Sequence, residues 1–138
     1  MTLPGKFGQL WSDRCGGAAL EFAMVAPVFI GLTLGALELG RMYYVRQNLE
    51  YATEQAARYY SLNPSASTSD VTSKFDGFLV GNIASNATVS YADTTNCNGN
   101  AYVVCTTVTA TYPFSFTSSY LGFAPTTLTA RSRAVRQQ

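Results

Sequence analysis

Gly16-Gly17-Ala18-Ala19-Leu20-Glu21-Phe22-Ala23-Met24-Val25-Ala26-Pro27 opens an apolar run that continues to Gly40. From Phe22 to Leu37 no residue carries a charge, while Glu21 stands near the start of the run and Glu38 near its end. As an α-helix, residues 17–40 would extend about 36 Å at ~1.5 Å per residue, against a bilayer hydrocarbon core of about 30 Å. The stretch is long enough to span a membrane, and we expect a membrane-anchored protein.

Within the run, Pro27 removes one backbone donor and crowds the preceding turn, a defect that membrane helices tolerate better than soluble ones. Gly31 and Gly35 form a GxxxG pattern, and Ala36 and Gly40 add a second pair of small residues four apart. Small residues at this spacing let another helix approach closely. The same pattern arises by chance in a Gly/Ala-rich segment, so helix packing and mere composition are both open.

Upstream, residues 1–16 are short, polar and weakly basic, with Lys6 and Arg14 against Asp13. Pro4, Gly5 and Gly8 disfavour a stable helix there, which suits a leader or a cytoplasmic tail. A secretory signal needs an apolar core of 7–15 residues followed by a small-residue cleavage site. Here the run is longer, Glu21 stands at its mouth, and Glu38 and Arg41 close it instead. Orientation by charge is balanced, Lys6 and Arg14 on one side against Arg41 and Arg46 on the other. The cysteines are more informative: Cys15 precedes the run, while Cys97 and Cys105 lie beyond it, eight positions apart. A pair in an oxidising compartment reads as a local disulfide and a lone cysteine opposite as a reduced thiol. That places the N-terminus in the cytoplasm.

Downstream, residues 41–60 lack Pro and Gly, and Val45, Leu49, Ala52, Ala56 and Tyr59 recur at helical spacing. Arg46, Glu50, Glu54 and Arg58 form an i,i+4 ladder on another face, with Glu54 to Arg58 in the favoured polarity. Asn63-Pro64 ends the element. One helix of about 45 residues is predicted, half in lipid and half amphipathic. A second helix is predicted from Asp70 to about Ala84, with Ser69 as N-cap and Val71, Phe75, Phe78, Leu79 and Ile83 as its apolar face. The small residues Ala52 and Ala56 would accept its phenylalanines.

The remainder alternates as strands do, over residues 88–93, 101–114 and 126–135. Residues 115–125 form a loop with three aromatics, Phe116, Tyr120 and Phe123, readable as a binding site or as a plug over an open edge of the core. Asn98-Gly99 signals a tight hairpin, which would set Cys105 opposite residue 92 rather than Cys97. A disulfide needs Cα atoms about 4.4–6.8 Å apart, so we expect a looser loop closed by the Cys97–Cys105 bond. Asn86-Ala87-Thr88 matches a glycosylation acceptor, a triplet frequent by chance. The predicted fold class is α+β: a long N-terminal helix, a short second helix and an antiparallel sheet of about three strands. The predicted divisions are a leader (1–16), a transmembrane helix (17–40) and an α+β domain (41–138).

Composition narrows the function. Charged residues are 12% of the 138 and the net charge is +1, so nucleic acid finds no basic footprint. There is no histidine, which removes His-based triads, His general bases and most zinc sites. Ser and Thr without an activating base are inert. No enzyme, cofactor or metal is expected.

The residues around Gly16 resemble the processing site of prepilins: a short polar leader, a glycine, cleavage, then a glutamate at the fifth mature position heading an apolar helix. Residues 17–27, with Leu37-Glu38-Leu39-Gly40-Arg41, resemble the TadE-like family of pseudopilins from tight-adherence (Tad) pilus systems. The similarity covers about residues 16–60. It implies that a membrane-embedded prepilin peptidase cuts between Gly16 and Gly17, with Glu21 and Phe22 serving recognition and assembly. The product would remain in the bacterial inner membrane with its domain in the periplasm. It would act as a minor pilin supporting initiation, assembly or display of a type IVb-like pilus in cell adhesion. Its partners would be the peptidase, other pilins or pseudopilins, and pilus assembly proteins. A carboxylate inside an apolar helix costs about 2.5–3.5 kcal/mol. The resemblance favours pairing of Glu21 with the new α-amino group of Gly17, on its own chain or a neighbour's; the alternative is snorkelling to the interface. Many major Tad pilins are very short and lack a large C-terminal domain, so the resemblance is not to one of those. The competing function is an uncleaved bitopic protein whose periplasmic domain binds a partner in a secretion complex.

Overall fold

The computed structural model describes residues 16–99, 102–117, 122 and 124–137. The leader through Cys15, together with Ala101, Tyr120 and Phe123, lies outside the described residues. Contacts divide the chain after Leu37 into two units, three residues before the predicted boundary at Gly40. One helix, α1 (Gly17–Leu62), begins in the first unit and ends in the second.

The described part of the first unit is helical throughout, with Pro27 inside the helix. Its large side chains are exposed, from Leu20 and Phe22 through Val28, Phe29 and Leu32 to Leu37. The most apolar window of α1 is unburied and is long and apolar enough to cross a membrane, as the charge-free sequence predicts.

In the second unit, α1 turns Val45, Leu49, Ala52, Thr53, Ala56, Ala57 and Tyr60 inward. Tyr60, not Tyr59, is the buried tyrosine of the last turn. Thr53 satisfies its hydroxyl by donating to the Leu49 carbonyl at 2.6 Å. On the charged ladder, the ion pair among the described residues is Arg46–Glu50 at 2.9 Å rather than Glu54–Arg58. The helix stops where Pro64 requires: the Asn63 backbone N–H and side-chain amide both donate to the Tyr59 carbonyl.

The second helix differs from expectation at both ends. α2 spans Thr68–Phe78, and its cap is Ser67. The Ser67 hydroxyl accepts from the Asp70 N–H at 3.2 Å while the Asp70 carboxylate accepts from the Ser67 N–H at 3.0 Å. This reciprocal capping box satisfies two orphan donors at once and outcompetes Ser69. At the other end Leu79 is extended, and Gly81 takes φ +61°, a left-handed conformation open to glycine at no steric cost. The segment to Ala84 therefore breaks, and a four-residue turn α3 (Ile83–Asn86) follows. Val71, Phe75, Leu79 and Ile83 are buried as predicted, but Phe78 is exposed, set edge-on to Tyr51 at 6.0 Å.

The strands are β1 (Thr88–Thr94), β2 (Val103–Phe114) and β3 (Thr126–Gln137), in antiparallel order β1-β2-β3. Val108, Ala110, Ala130 and Ala134 face the helices and share one cluster with Leu49, Ala52, Ala56, Val71 and Phe75. Small residues on both α1 and the sheet leave room for the Phe75 and Phe114 rings, both fully buried. The opposite face carries rows such as Thr88–Thr111–Thr129 and Ser90–Thr109–Arg131.

The register resolves the loop between β1 and β2. Thr94 lies opposite Cys105, two residues away from the pairing that a tight Asn98-Gly99 turn would impose. A 3₁₀ turn (Cys97–Gly99) fills the longer loop, with Asn96 and Gly99 at positive φ. Cys97 and Cys105 form a disulfide with Cα atoms 5.5 Å apart, within the usual span.

Candidate processing and assembly site

Gly17 is the first residue of α1, and Gly16 immediately precedes it. Both are exposed, as are Leu20, Glu21 and Phe22, with Phe22 74% exposed. Glu21 has no hydrogen bond or ion pair to any described residue. Gly17 and Glu21 stand at i and i+4, neighbours on one helix face. An amino group created at Gly17 would thus lie beside the carboxylate, on the same chain or on an adjacent helix in register.

The predicted packing residues Gly31, Gly35, Ala36 and Gly40 fall on the same helix. A Cβ added at Gly31, Gly35 or Gly40 would meet nothing within 4 Å. Among the described residues no close approach requires glycine at these positions, and Ala36 is exposed.

Two side-chain clusters escaped the sequence reading. The first joins α1 to the end of β2. Arg41 donates from Nη1 to the Thr117 hydroxyl at 2.8 Å and from Nη2 to the Ser115 carbonyl. Its guanidinium also lies over the Phe114 ring, 4.6 Å from the centroid. Glu38, one turn earlier, accepts from the Thr117 N–H at 3.0 Å and stands 3.6 Å from Arg41. The other Glu38 oxygen is buried without a hydrogen bond. In the sequence Glu38 and Arg41 close the apolar run and belong to the resembling motif; their partners lie 74–79 positions away, beyond the reach of local pattern.

The second cluster lies at the other end of the amphipathic half. Buried Thr106 donates to Asp93, whose second oxygen pairs with Arg136 at 3.0 Å. Arg136 lies over the Tyr60 ring at 4.5 Å and donates to the Pro64 carbonyl at 3.3 Å. Sheet and helix are thus pinned at both ends of the core.

Ionisation follows the same contacts. Hydrogen bonds from Ser67 hold the Asp70 carboxyl below its ordinary value of 3.8, and burial raises the Tyr91 phenol above 10.0, partly offset by its hydrogen bond with Thr72. Both groups belong to the scaffold. A groove of about 540 Å³ runs between Arg46, Glu50 and Glu54 on α1 and Thr129–Arg131 on β3. A smaller one, about 230 Å³, lies between Arg58 and Tyr59 of α1 and Lys74 and Phe78 of α2. Among the described residues no group of three or more Cys, Asp or Glu side chains comes together to hold a metal ion.

Residues 16–58 match the family described as TadE-like protein. The matched span starts at the predicted cleavage glycine and includes Glu21, the small-residue positions, Glu38 and Arg41. No match was found among curated proteins or among solved structures. The chain thus carries a TadE-like N-terminal segment, with an apolar helix that fits a single-pass membrane protein.

Proposed function

We propose that the chain is a minor pilin or pseudopilin of a tight-adherence pilus system, cut by a prepilin peptidase between Gly16 and Gly17. Its role is non-catalytic: it supports assembly or display of the pilus from the bacterial inner membrane, with residues 41–138 in the periplasm. The observation that carries this reading is the coincidence at one point of the chain. The family match opens at Gly16, α1 opens at Gly17, and an exposed glutamate follows one turn later. A peptidase gains access to an exposed glycine pair at the start of the helix, and the cut leaves an α-amino group beside Glu21. Glu21 then offsets its cost in lipid, about 2.5–3.5 kcal/mol when unpaired, by pairing with that amine. Gly31 with Gly35, and Ala36 with Gly40 on a separate face, offer close approach to neighbouring pilin helices.

The test is the N-terminus of the protein from native membranes, read by mass spectrometry beside a Gly16→Leu variant. The expected outcome is a chain starting at Gly17, and an uncut chain in the variant. An intact Met1 in cells with an active peptidase would overturn the reading. The protein would then be a permanent anchor whose periplasmic domain serves a secretion complex.

A further inference from the structure

We infer that the β2 end of the sheet lies in the lipid headgroup layer, held there by the Glu38–Arg41 clamp, so that Ser115–Thr117 form a membrane-contact surface of the domain. The inference rests on the reading of α1 as membrane-embedded and adds a second element to the membrane contact.

The argument begins with depth. The charge-free run ends at Leu37, and the first charges after it are Glu38 and Arg41. Tyr43 and Tyr44 follow, 63% and 54% exposed. Tyrosine favours the boundary between hydrocarbon and water, where its ring and hydroxyl are both served. Residues 38–44 rise about 9 Å along the helix at ~1.5 Å each. The polar layer on each side of a bilayer is about 5–8 Å thick, so these seven residues fill it.

Arg41 and Glu38 do not reach this layer alone. Three hydrogen bonds bring Ser115 and Thr117 to them, and the Arg41 guanidinium covers the Phe114 ring. A residue within hydrogen-bond distance of Arg41 shares its depth to within a few ångströms. Phe116, set edge-on to Phe114 at 5.2 Å, is half-buried at the same level. The clamp also explains why a carboxylate with one buried oxygen is tolerated at Glu38: Arg41 and the Thr117 N–H neutralise it where water is scarce. The opposite end of the sheet, the disulfide loop, lies about 30 Å further along β2 at ~3.3 Å per residue and belongs in bulk water.

The experiment uses the full chain with Cys15→Ser, the native disulfide intact, reconstituted in phosphatidylcholine/phosphatidylglycerol vesicles. A single fluorophore is attached through Leu32→Cys, Tyr44→Cys, Ser115→Cys or Thr95→Cys. Quenching is read with lipids spin-labelled at the headgroup or at the bilayer centre. The expected result is centre-lipid quenching at 32, headgroup quenching at both 44 and 115, and none at 95. In an Arg41→Ala background, headgroup quenching at 115 should be lost while that at 44 stays; Arg46→Ala should change neither. Protection of the Cys97–Cys105 disulfide from reduction reports that each variant is folded. If 32 and 44 are quenched and 115 is as silent as 95, the inference is overturned while the membrane helix stands. Quenching at 115 that survives Arg41→Ala in a folded protein overturns the clamp's role. If 32 is not quenched, the membrane reading itself has failed.

Discussion

At the scale of single residues, the contacts that matter are those where a polar group has only one way to be satisfied. Ser67 is such a group. Its hydroxyl accepts from the Asp70 N–H while the Asp70 carboxylate accepts from the Ser67 N–H across the first turn of α2, and Ser67→Ala should lower stability by about 1 kcal/mol in thermal or urea unfolding. Asp70 adds an acid limb. Its folded pKa is below its ordinary value, so its contribution is complete above that value and is lost as pH falls through the folded pKa. Melting temperatures between about pH 5 and pH 2 should fall less steeply for Asp70→Asn than for the parent chain. The box was legible in principle, since Ser67-Thr68-Ser69-Asp70 carries the Ser-x-x-acid pattern. Ser69 was preferred because it directly precedes the acid, whereas the three-residue reach of a capping side chain decides in favour of Ser67. The partners of Glu38 and Arg41 had no such local signal.

At the scale of elements, α1 was legible almost to the residue, because an unbroken charge-free run and a Pro/Gly-free amphipathic run leave the backbone one economical choice. The three strands were legible from their alternation, with ends shifted by a few residues. The break between α2 and α3 was not, because Val71, Phe75, Leu79 and Ile83 keep helical spacing across it; Gly81 is what permits the interruption. The β1–β2 hairpin shows how two signals compete. A slip of two residues toward the Asn98-Gly99 turn would leave every side chain on its own face, so hydrophobic pattern alone does not choose between the registers. The disulfide chooses, and so does Asp93, which meets Thr106 only in the observed pairing. Cys97→Ser with Cys105→Ser should therefore cost about 2–3 kcal/mol of unfolding free energy yet keep the register. Adding Asp93→Ala should release it, and cross-strand nuclear Overhauser contacts would then report Ala92 opposite residue 105.

At the scale of the second unit, α1 is held at one end through Arg41 and at the other through Arg136, whereas Arg46 pairs only within the helix. Arg136, which binds Asp93, Tyr60 and Pro64 together, is partly buried, so Arg136→Ala should cost about 1–3 kcal/mol. Amide exchange should then quicken at the end of α1 and at the end of β1 together. Arg46, whose pair with Glu50 is solvent-exposed, should cost no more than about 0.5 kcal/mol when changed to Ala. Counting charges along the chain would have ranked the two arginines equally; burial and the number of partners separate them.

The connectivity of the sheet has a consequence for the order of assembly. Each strand pairs with its neighbour in sequence, so the sheet can zip locally, whereas the clamps join α1 to segments more than 70 positions later. Loop closure on that scale is entropically slow to begin. During synthesis from the N-terminus, Val45, Leu49, Ala52 and Ala56 meet α2 first and lack the sheet until β2 and β3 arrive. At about 5–20 residues per second that delay is roughly 4–15 s. For that interval the nascent chain carries a helix whose sheet-facing side is bare, next in sequence to a run long and apolar enough to cross a membrane, a combination that invites capture by a holdase.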